Sequence, residues 1–97
     1  MLNPRELLRM QSEAKKMQKK LRENKISGES KDGSVKIFMN GAQEYEDIWI
    51  DDELLDPEEY DLLKKRFKEA FKNYRKKLQK EMISDMDISQ LKGMLGA

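Results

Sequence analysis

The chain has no cysteine and no histidine. Without cysteine there is no disulfide and no thiolate chemistry, which fits the cytosol. Without histidine the commonest general base and the commonest zinc ligand are both missing. No apolar run approaches the roughly 20 residues of a membrane-spanning helix. The opening Met1-Leu2-Asn3-Pro4-Arg5-Glu6 also lacks the charged-then-apolar layout of a secretory leader. Aromatic residues are scarce at 7%, and hydrophobic residues make up only 37% of 97 residues against 40% charged. A core that lean gains stability from a partner subunit. The apolar residues are nevertheless placed periodically, so the composition does not read as disorder.

The net charge of +1 hides a strong segregation. Residues 1–25 carry eight bases against three acids, and residues 26–63 carry two bases against twelve acids. Residues 64–80 then carry nine bases against Glu69 alone. Blocks of this kind bear on partners more than on fold.

Asn3-Pro4-Arg5-Glu6 opens a helix: Asn3 caps, Pro4 takes the first helical position, and Glu6 stands at the capping-box acid position. Leu7, Met10, Ala14, Met17 and Leu21 follow at 3-4 spacing, a narrow coiled-coil-like seam. A helix from Asn3 to Asn24 is roughly 33 Å long, so it is expected to project as an arm with its seam against another helix. Gly28 reads as its C-terminal cap, and Lys31-Asp32-Gly33 as a turn. Residues 26–30 are open to two readings, a short first strand or a plain loop.

Val35, Ile37 and Met39 alternate with Lys36, Phe38 and Asn40, the period of a strand, and Asn40-Gly41 suits a hairpin turn with positive φ. A second run leads to Ile48-Trp49-Ile50. Two registers are open. A two-residue turn sets Met39 against Ala42, Ile37 against Glu44 and Val35 against Glu46. A three-residue connection with a bulge sets Val35 and Ile37 with Tyr45 and Gln43, and Lys36 opposite Glu44. Either way the hairpin is apolar on both faces. The chain's own helices cover one, and the other implies a partner chain.

Asp56-Pro57-Glu58-Glu59 opens a second helix. Tyr60, Leu63, Phe67, Ala70, Phe71, Tyr74 and Leu78 form its apolar stripe, extended by Met82, and this stripe is expected to hold most of the core. Together these elements give an α+β fold: a long N-terminal helix, a three-stranded antiparallel meander and a long C-terminal helix, dimeric with projecting helical arms. Residues 1–83 read as a single domain, and 84–97 as a flexible or weakly helical tail.

No catalytic grouping emerges, so the chain is expected not to be an enzyme. Asp51, Asp52, Glu53 and Asp56 offer hard oxygens for Mg²⁺ or Ca²⁺ but lack calcium-loop spacing, and they adjoin a helix start where acids are favoured anyway. No histidine is present to activate a serine, and no Lys-Ser/Thr follows Gly28 or Gly33 to make a phosphate cradle. No metal, cofactor or small-molecule substrate is implied. The basic helices are the functional candidates. A solubilising helix mixes signs, whereas residues 64–80 hold one acid, so neutralising phosphates is the most direct use. Charge alone leaves nucleic acid and a protein partner both open.

The ordered set Gln11-Ser12-Glu13-Ala14 with Met17-Gln18, Gly28-Glu29-Ser30 with Gly33, Val35-Lys36-Ile37, Asn40-Gly41-Ala42, Ile48-Trp49-Ile50-Asp51 and Leu54-Leu55 resembles the YbaB/EbfC family of bacterial nucleoid-associated proteins. The resemblance runs from about Leu7 to Leu78. It implies a small α/β homodimer with a shared central sheet and paired helical arms that binds DNA in the nucleoid, in a family not known for enzymes. The family has no invariant base-reading motif to map here. Two features depart from the family. Glu44-Tyr45-Glu46-Asp47 is acidic for a DNA-facing strand, and the tail lacks the usual Gly/Pro/Met-rich ending.

The expectation is therefore a cytoplasmic, nucleoid-associated homodimer that grips double-stranded DNA mainly by its phosphates. The residues expected to do so are Lys15, Lys16, Lys19, Lys20 and Arg22 of the first helix and Lys65, Lys68, Lys72, Arg75 and Lys76 of the second. Phe38, Tyr45 and Trp49 are the candidate dimer-interface residues. The competing expectation is a dimeric protein–protein interaction module whose charges serve only solubility.

Overall fold

The computed structural model describes residues 3–84. Helix α1 spans Pro4–Glu23, and strands β1 (Lys25–Glu29), β2 (Val35–Asn40) and β3 (Tyr45–Ile50) follow. Two 3-10 turns, Asp52–Leu55 and Pro57–Glu59, lead into helix α2, Tyr60–Ser84. The strands form an antiparallel meander in the order β1-β2-β3. This is the expected α+β architecture, and of the two readings for residues 26–30 the strand forms, over Lys25–Glu29. The expected tail lies outside the described residues except for Ser84, which closes α2.

Asn3 caps α1, its Oδ1 accepting the Glu6 N–H at 2.8 Å. The helix stops at Asn24, four residues before Gly28, so Gly28 is not its cap. The hairpin turn takes up the end of α1 instead. Gly41 N–H donates to Leu21 O at 3.0 Å and to Asn24 O at 2.9 Å, satisfying carbonyls the helix leaves open. A Cβ on residue 41 would sit 3.0 Å from Leu21 O. Glycine is favoured there by close approach, because the positive φ of this loop falls on Gln43, at 63°.

The expected three-residue connection with a bulge is the one formed, but neither expected set of strand partners is. Gly41, Ala42 and Gln43 make a three-residue loop, with Asn40 N–H donating to Glu44 O. Met39 then pairs with Tyr45, but Phe38 pairs with Asp47, because Glu46 is extruded as a bulge. The extra residue restores the pattern by placing Ile37 opposite Ile48 and Val35 opposite Ile50. Apolar partners therefore meet on the inner face, and no carboxylate is driven into it.

Helix α2 covers that inner face. Ile26, Val35, Ile37, Met39, Leu54, Ala70, Tyr74 and Leu78 form the buried core. Tyr74 is enclosed, and its hydroxyl donates to Asn40 O at 2.7 Å. Gly28 permits this packing: a Cβ there would lie 2.2 Å from Ala70 O. Half of the apolar stripe expected in the core stays outside it. Phe67 and Phe71 are 41% and 40% exposed, paired with each other along one flank of α2, and Tyr60 is also exposed. They sit to one side of the line through Ala70 and Tyr74, and the small sheet is too narrow to reach them. No residue of α1 is buried, which fits the expected projecting arm.

The two sheet edges differ. Along β1 and into the turn that follows it, three outward-pointing backbone groups are taken by side chains one helical turn apart on α2. Lys77 Nζ donates to Ser27 O at 2.9 Å, Asn73 Oδ1 accepts Glu29 N–H at 3.0 Å, and Glu69 Oε1 accepts Lys31 N–H at 3.3 Å. This ladder closes the β1 edge to further strand pairing.

Candidate nucleic-acid interface

Lys65, Lys68, Lys72 and Lys76 recur at three- and four-residue spacing, which puts them within an arc of about 80° on α2, opposite Ala70 and Tyr74. With Glu29, Ser30 and Lys31 from the β1–β2 segment they line a groove of about 750 Å³. None of the four lysines has an ion pair or hydrogen bond among the described residues. Unneutralised ammonium groups on one wall hold their charge for a ligand.

The acids nearest this wall are already engaged. Glu69 lies 3.0 Å from Arg66 Nη1, and this hydrogen bond holds its carboxyl below the usual carboxylate range. Arg66 Nε stands 3.2 Å from Asp32 Oδ2 but makes no hydrogen bond, so that contact is an ion pair only. Asp32 accepts from the Ser34 hydroxyl at 2.6 Å, the Ser34 N–H at 3.0 Å and the Ser30 hydroxyl at 2.9 Å. Those bonds, the Ser34 hydroxyl foremost, lower its pKa to about 2. The β1–β2 turn is thereby pinned to α2, and Lys31 is set on the groove wall opposite the helix. Sequence reasoning passed over Lys31 because it stands alone in a turn. The signal available was its place in Lys31-Asp32-Gly33, where Asp32 anchors the turn.

The other expected bases separate. Lys15, Lys16 and Lys19 share one stretch of α1 with Leu8, Gln11 and Ser12. Lys20 is exposed and lines neither groove. Arg22 is paired to the hairpin, its Nε 3.2 Å from Glu44 Oε1. Arg75 lines a third groove, with Met39, Gln43 and Phe71. On the sheet face that no described element covers, Phe38 and Trp49 stand exposed, with Lys36 Nζ 5.7 Å from the Trp49 ring. Tyr45, also exposed, sits at the hairpin end opposite Met39. Lys25 pairs with Glu46 across this face.

The acidic segment before α2 serves local structure. Asp51 accepts Glu53 N–H at 3.0 Å and Asp56 accepts Glu58 N–H at 2.9 Å, each opening a 3-10 turn. Among the described residues no group of three His, Cys, Asp or Glu side chains is placed to hold a metal. No described helix is long and apolar enough to cross a membrane.

A three-stranded meander backed by one helix, trailing a second, with a lysine-lined groove whose neighbouring acids are engaged, is an arrangement suited to a polyanion. The chain belongs to the YbaB/EbfC DNA-binding family, whose model matches residues 4–94. It is 36% identical to a nucleoid-associated protein of Corynebacterium jeikeium over 72% of this chain and 67% of that one. A nucleoid-associated protein of Chlamydia trachomatis is 32% identical over 75% and 76% of the two chains. The fold matches the crystal structure of an uncharacterized protein from Helicobacter pylori with a TM-score of 0.67. That match covers 87% of this chain and 92% of the other at 22% identity.

Proposed function

We propose that the chain binds double-stranded DNA as a homodimer in the nucleoid, within the cytoplasm, through phosphate contacts made by its basic helices. The observation that carries this reading is the set of four lysines, Lys65, Lys68, Lys72 and Lys76, unpaired among the described residues and aligned on one wall of α2 while Glu69 is engaged by Arg66. Membership of a DNA-binding family supports a nucleic-acid partner. Backbone contacts of this kind give salt-sensitive, weakly sequence-selective binding. Residues 1–83 act as one unit. The open sheet face with Phe38 and Trp49, the neighbouring Tyr45 and the free edge of β3 form the dimer contact, since the β1 edge is closed. The acids Glu44, Glu46 and Asp47 keep the sheet itself off the duplex.

The test is charge reversal at Lys68, Lys72 and Lys76 to Glu. Loss of duplex retention with sedimentation and circular dichroism unchanged is expected. Unchanged retention by a folded dimer overturns the reading in favour of a protein–protein interaction module.

A further inference from the structure

The lysine groove has a floor as well as a rim. At 100° per residue, Glu69, Asn73 and Lys77 lie between the row of four lysines and the buried line through Ala70 and Tyr74. Asn73 is fixed on this floor by the β1 edge. Its Oδ1 accepts Glu29 N–H at 3.0 Å, so the donor it meets sets the orientation of the amide. Its Nδ2 donors are left over, with no partner among the described residues, and the residue lines the groove. Lys31 stands across from the rim, its ammonium likewise free of any ion pair among the described residues. The two lining acids oppose an anion weakly. Glu69 is held by Arg66 at 3.0 Å, and Glu29 alternates with buried Gly28, which places its side chain on the other sheet face.

We infer that the groove binds a short linear polyphosphate, seated on the Asn73 amide between Lys31 and the α2 lysines, and that this ligand displaces duplex DNA from those lysines. A duplex backbone meets the rim lysines from outside. The Asn73 amide and Lys31 serve a ligand narrow enough to enter. At about 750 Å³ the groove has the size of a small-ligand site. Its chemistry narrows the class further. None of its lining residues is aromatic or aliphatic, so a nucleobase finds no stacking surface and an acidic peptide no apolar anchor. Lysine ammonium groups act as point charges for phosphate oxygens, and the amide adds a fixed donor among them. A chain of linked phosphates matches this set, being dense in charge with no apolar surface to cover. Two sources share that chemistry: an inorganic polyphosphate and the tail of a nucleoside triphosphate. The binding rests on the groove alone, and only the displacement of DNA rests on the reading above.

The full chain is titrated calorimetrically with tripolyphosphate, adenosine triphosphate and orthophosphate, at matched ionic strength and without divalent metal. Tripolyphosphate is expected to bind at least about tenfold more tightly than orthophosphate, because it makes several charge-assisted contacts at once. Asn73→Asp keeps an acceptor for Glu29 N–H but replaces the amide donors with an anionic oxygen. Lys31→Gln removes an exposed wall charge, so it tests the site even where Asn73→Asp loosens the fold. Each is expected to weaken tripolyphosphate about tenfold, the worth of one charge-assisted hydrogen bond. Lys80→Gln, an equal charge loss outside the groove, is expected to bind as wild type does. Adenosine triphosphate matching tripolyphosphate supports recognition of the chain from either source, and weaker binding supports the inorganic one. Tighter binding means that the base is read, and overturns the inference. Tripolyphosphate no tighter than orthophosphate, or weakened equally by Lys80→Gln and Lys31→Gln, also overturns it. So does a labelled duplex that stays bound at saturating tripolyphosphate, although the DNA reading then stands. A duplex that never binds, with the titrations as expected, overturns the displacement and the DNA reading and leaves the polyphosphate site in place.

Discussion

Replacing Gly28 by alanine probes the contact that fixes α2, and with it the lysine groove, against the sheet. The added Cβ would lie 2.2 Å from Ala70 O and 2.8 Å from Tyr74 Cβ, where ordinary contact begins at 3.4 Å. The helix must retreat by about 1.2 Å, the difference between those separations. Such a shift carries the 2.7 Å bond from the Tyr74 hydroxyl to Asn40 O past hydrogen-bonding range. Overpacking costs about 1–3 kcal/mol, and the lost buried bond costs about 1–3 kcal/mol. The better strand propensity of alanine returns about 0.5–1 kcal/mol. A net destabilisation of about 3 kcal/mol follows, which for a domain of this size lowers the melting temperature by roughly 12–24 °C. Thermal melts followed by circular dichroism, at one protein concentration for both proteins, measure it. A variant melting within about 4 °C of the parent refutes the close-approach argument. The same shift strains the Lys77, Asn73 and Glu69 ladder, so DNA retention should weaken in proportion to the loss of fold.

Tyr74→Phe removes only the hydroxyl, and Asn40 O keeps the Gln43 N–H at 3.1 Å. The expected cost is about 1 kcal/mol, read as a shift of roughly 4–8 °C. Burial raises the Tyr74 pKa above its ordinary value. The stability it contributes is complete below the unfolded value near pH 10 and is lost as pH rises through the folded one, so alkaline melts of wild type should converge on those of Tyr74→Phe. Asp32 behaves in the opposite sense. Its folded pKa of about 2 lies below the ordinary 3.8, so its contribution is complete above about pH 4 and is lost as pH falls toward 2. Wild type should lose melting temperature more steeply than Asp32→Asn over that interval, and parallel curves would show the Ser30–Asp32–Ser34 turn to be immaterial. Lys77→Met should lower the melting point without changing the salt dependence of DNA binding, because Lys77 caps Ser27 O. A changed salt dependence would make it a phosphate contact.

Much of this architecture was written in local patterns. The alternation of Val35, Ile37 and Met39, the caps at Asn3 and Asp56, and the lysines at three- and four-residue spacing each depend on residues close in the chain. What escaped depended on elements distant in sequence. Gly28 reads as a helix cap, yet its demand for a small residue comes from Ala70 and Tyr74 on α2. The Glu46 bulge is a choice of the backbone that lets Ile48 and Ile50 face Ile37 and Val35, and single-strand periodicity does not carry it. Phe67 and Phe71 continue the apolar stripe of α2, but how far a three-stranded sheet reaches across a helix is a matter of width. The candidate groove was half legible. The four helical lysines show in the spacing, whereas Lys31 joins them only through the anchoring of its turn to Arg66 and Glu69.

The most direct test of phosphate recognition by the α2 groove is the slope of log binding constant against log salt. It is measured on one duplex for wild type and for the Lys65→Gln, Lys68→Gln, Lys72→Gln, Lys76→Gln variant. Each phosphate neutralised contributes about 0.9 to that slope, so removing four contacts should make it shallower by about 3.6 for each groove engaged. The four side chains are exposed and have no ion pair or hydrogen bond among the described residues, so the fold should hold. An unchanged slope in a folded variant would contradict the account.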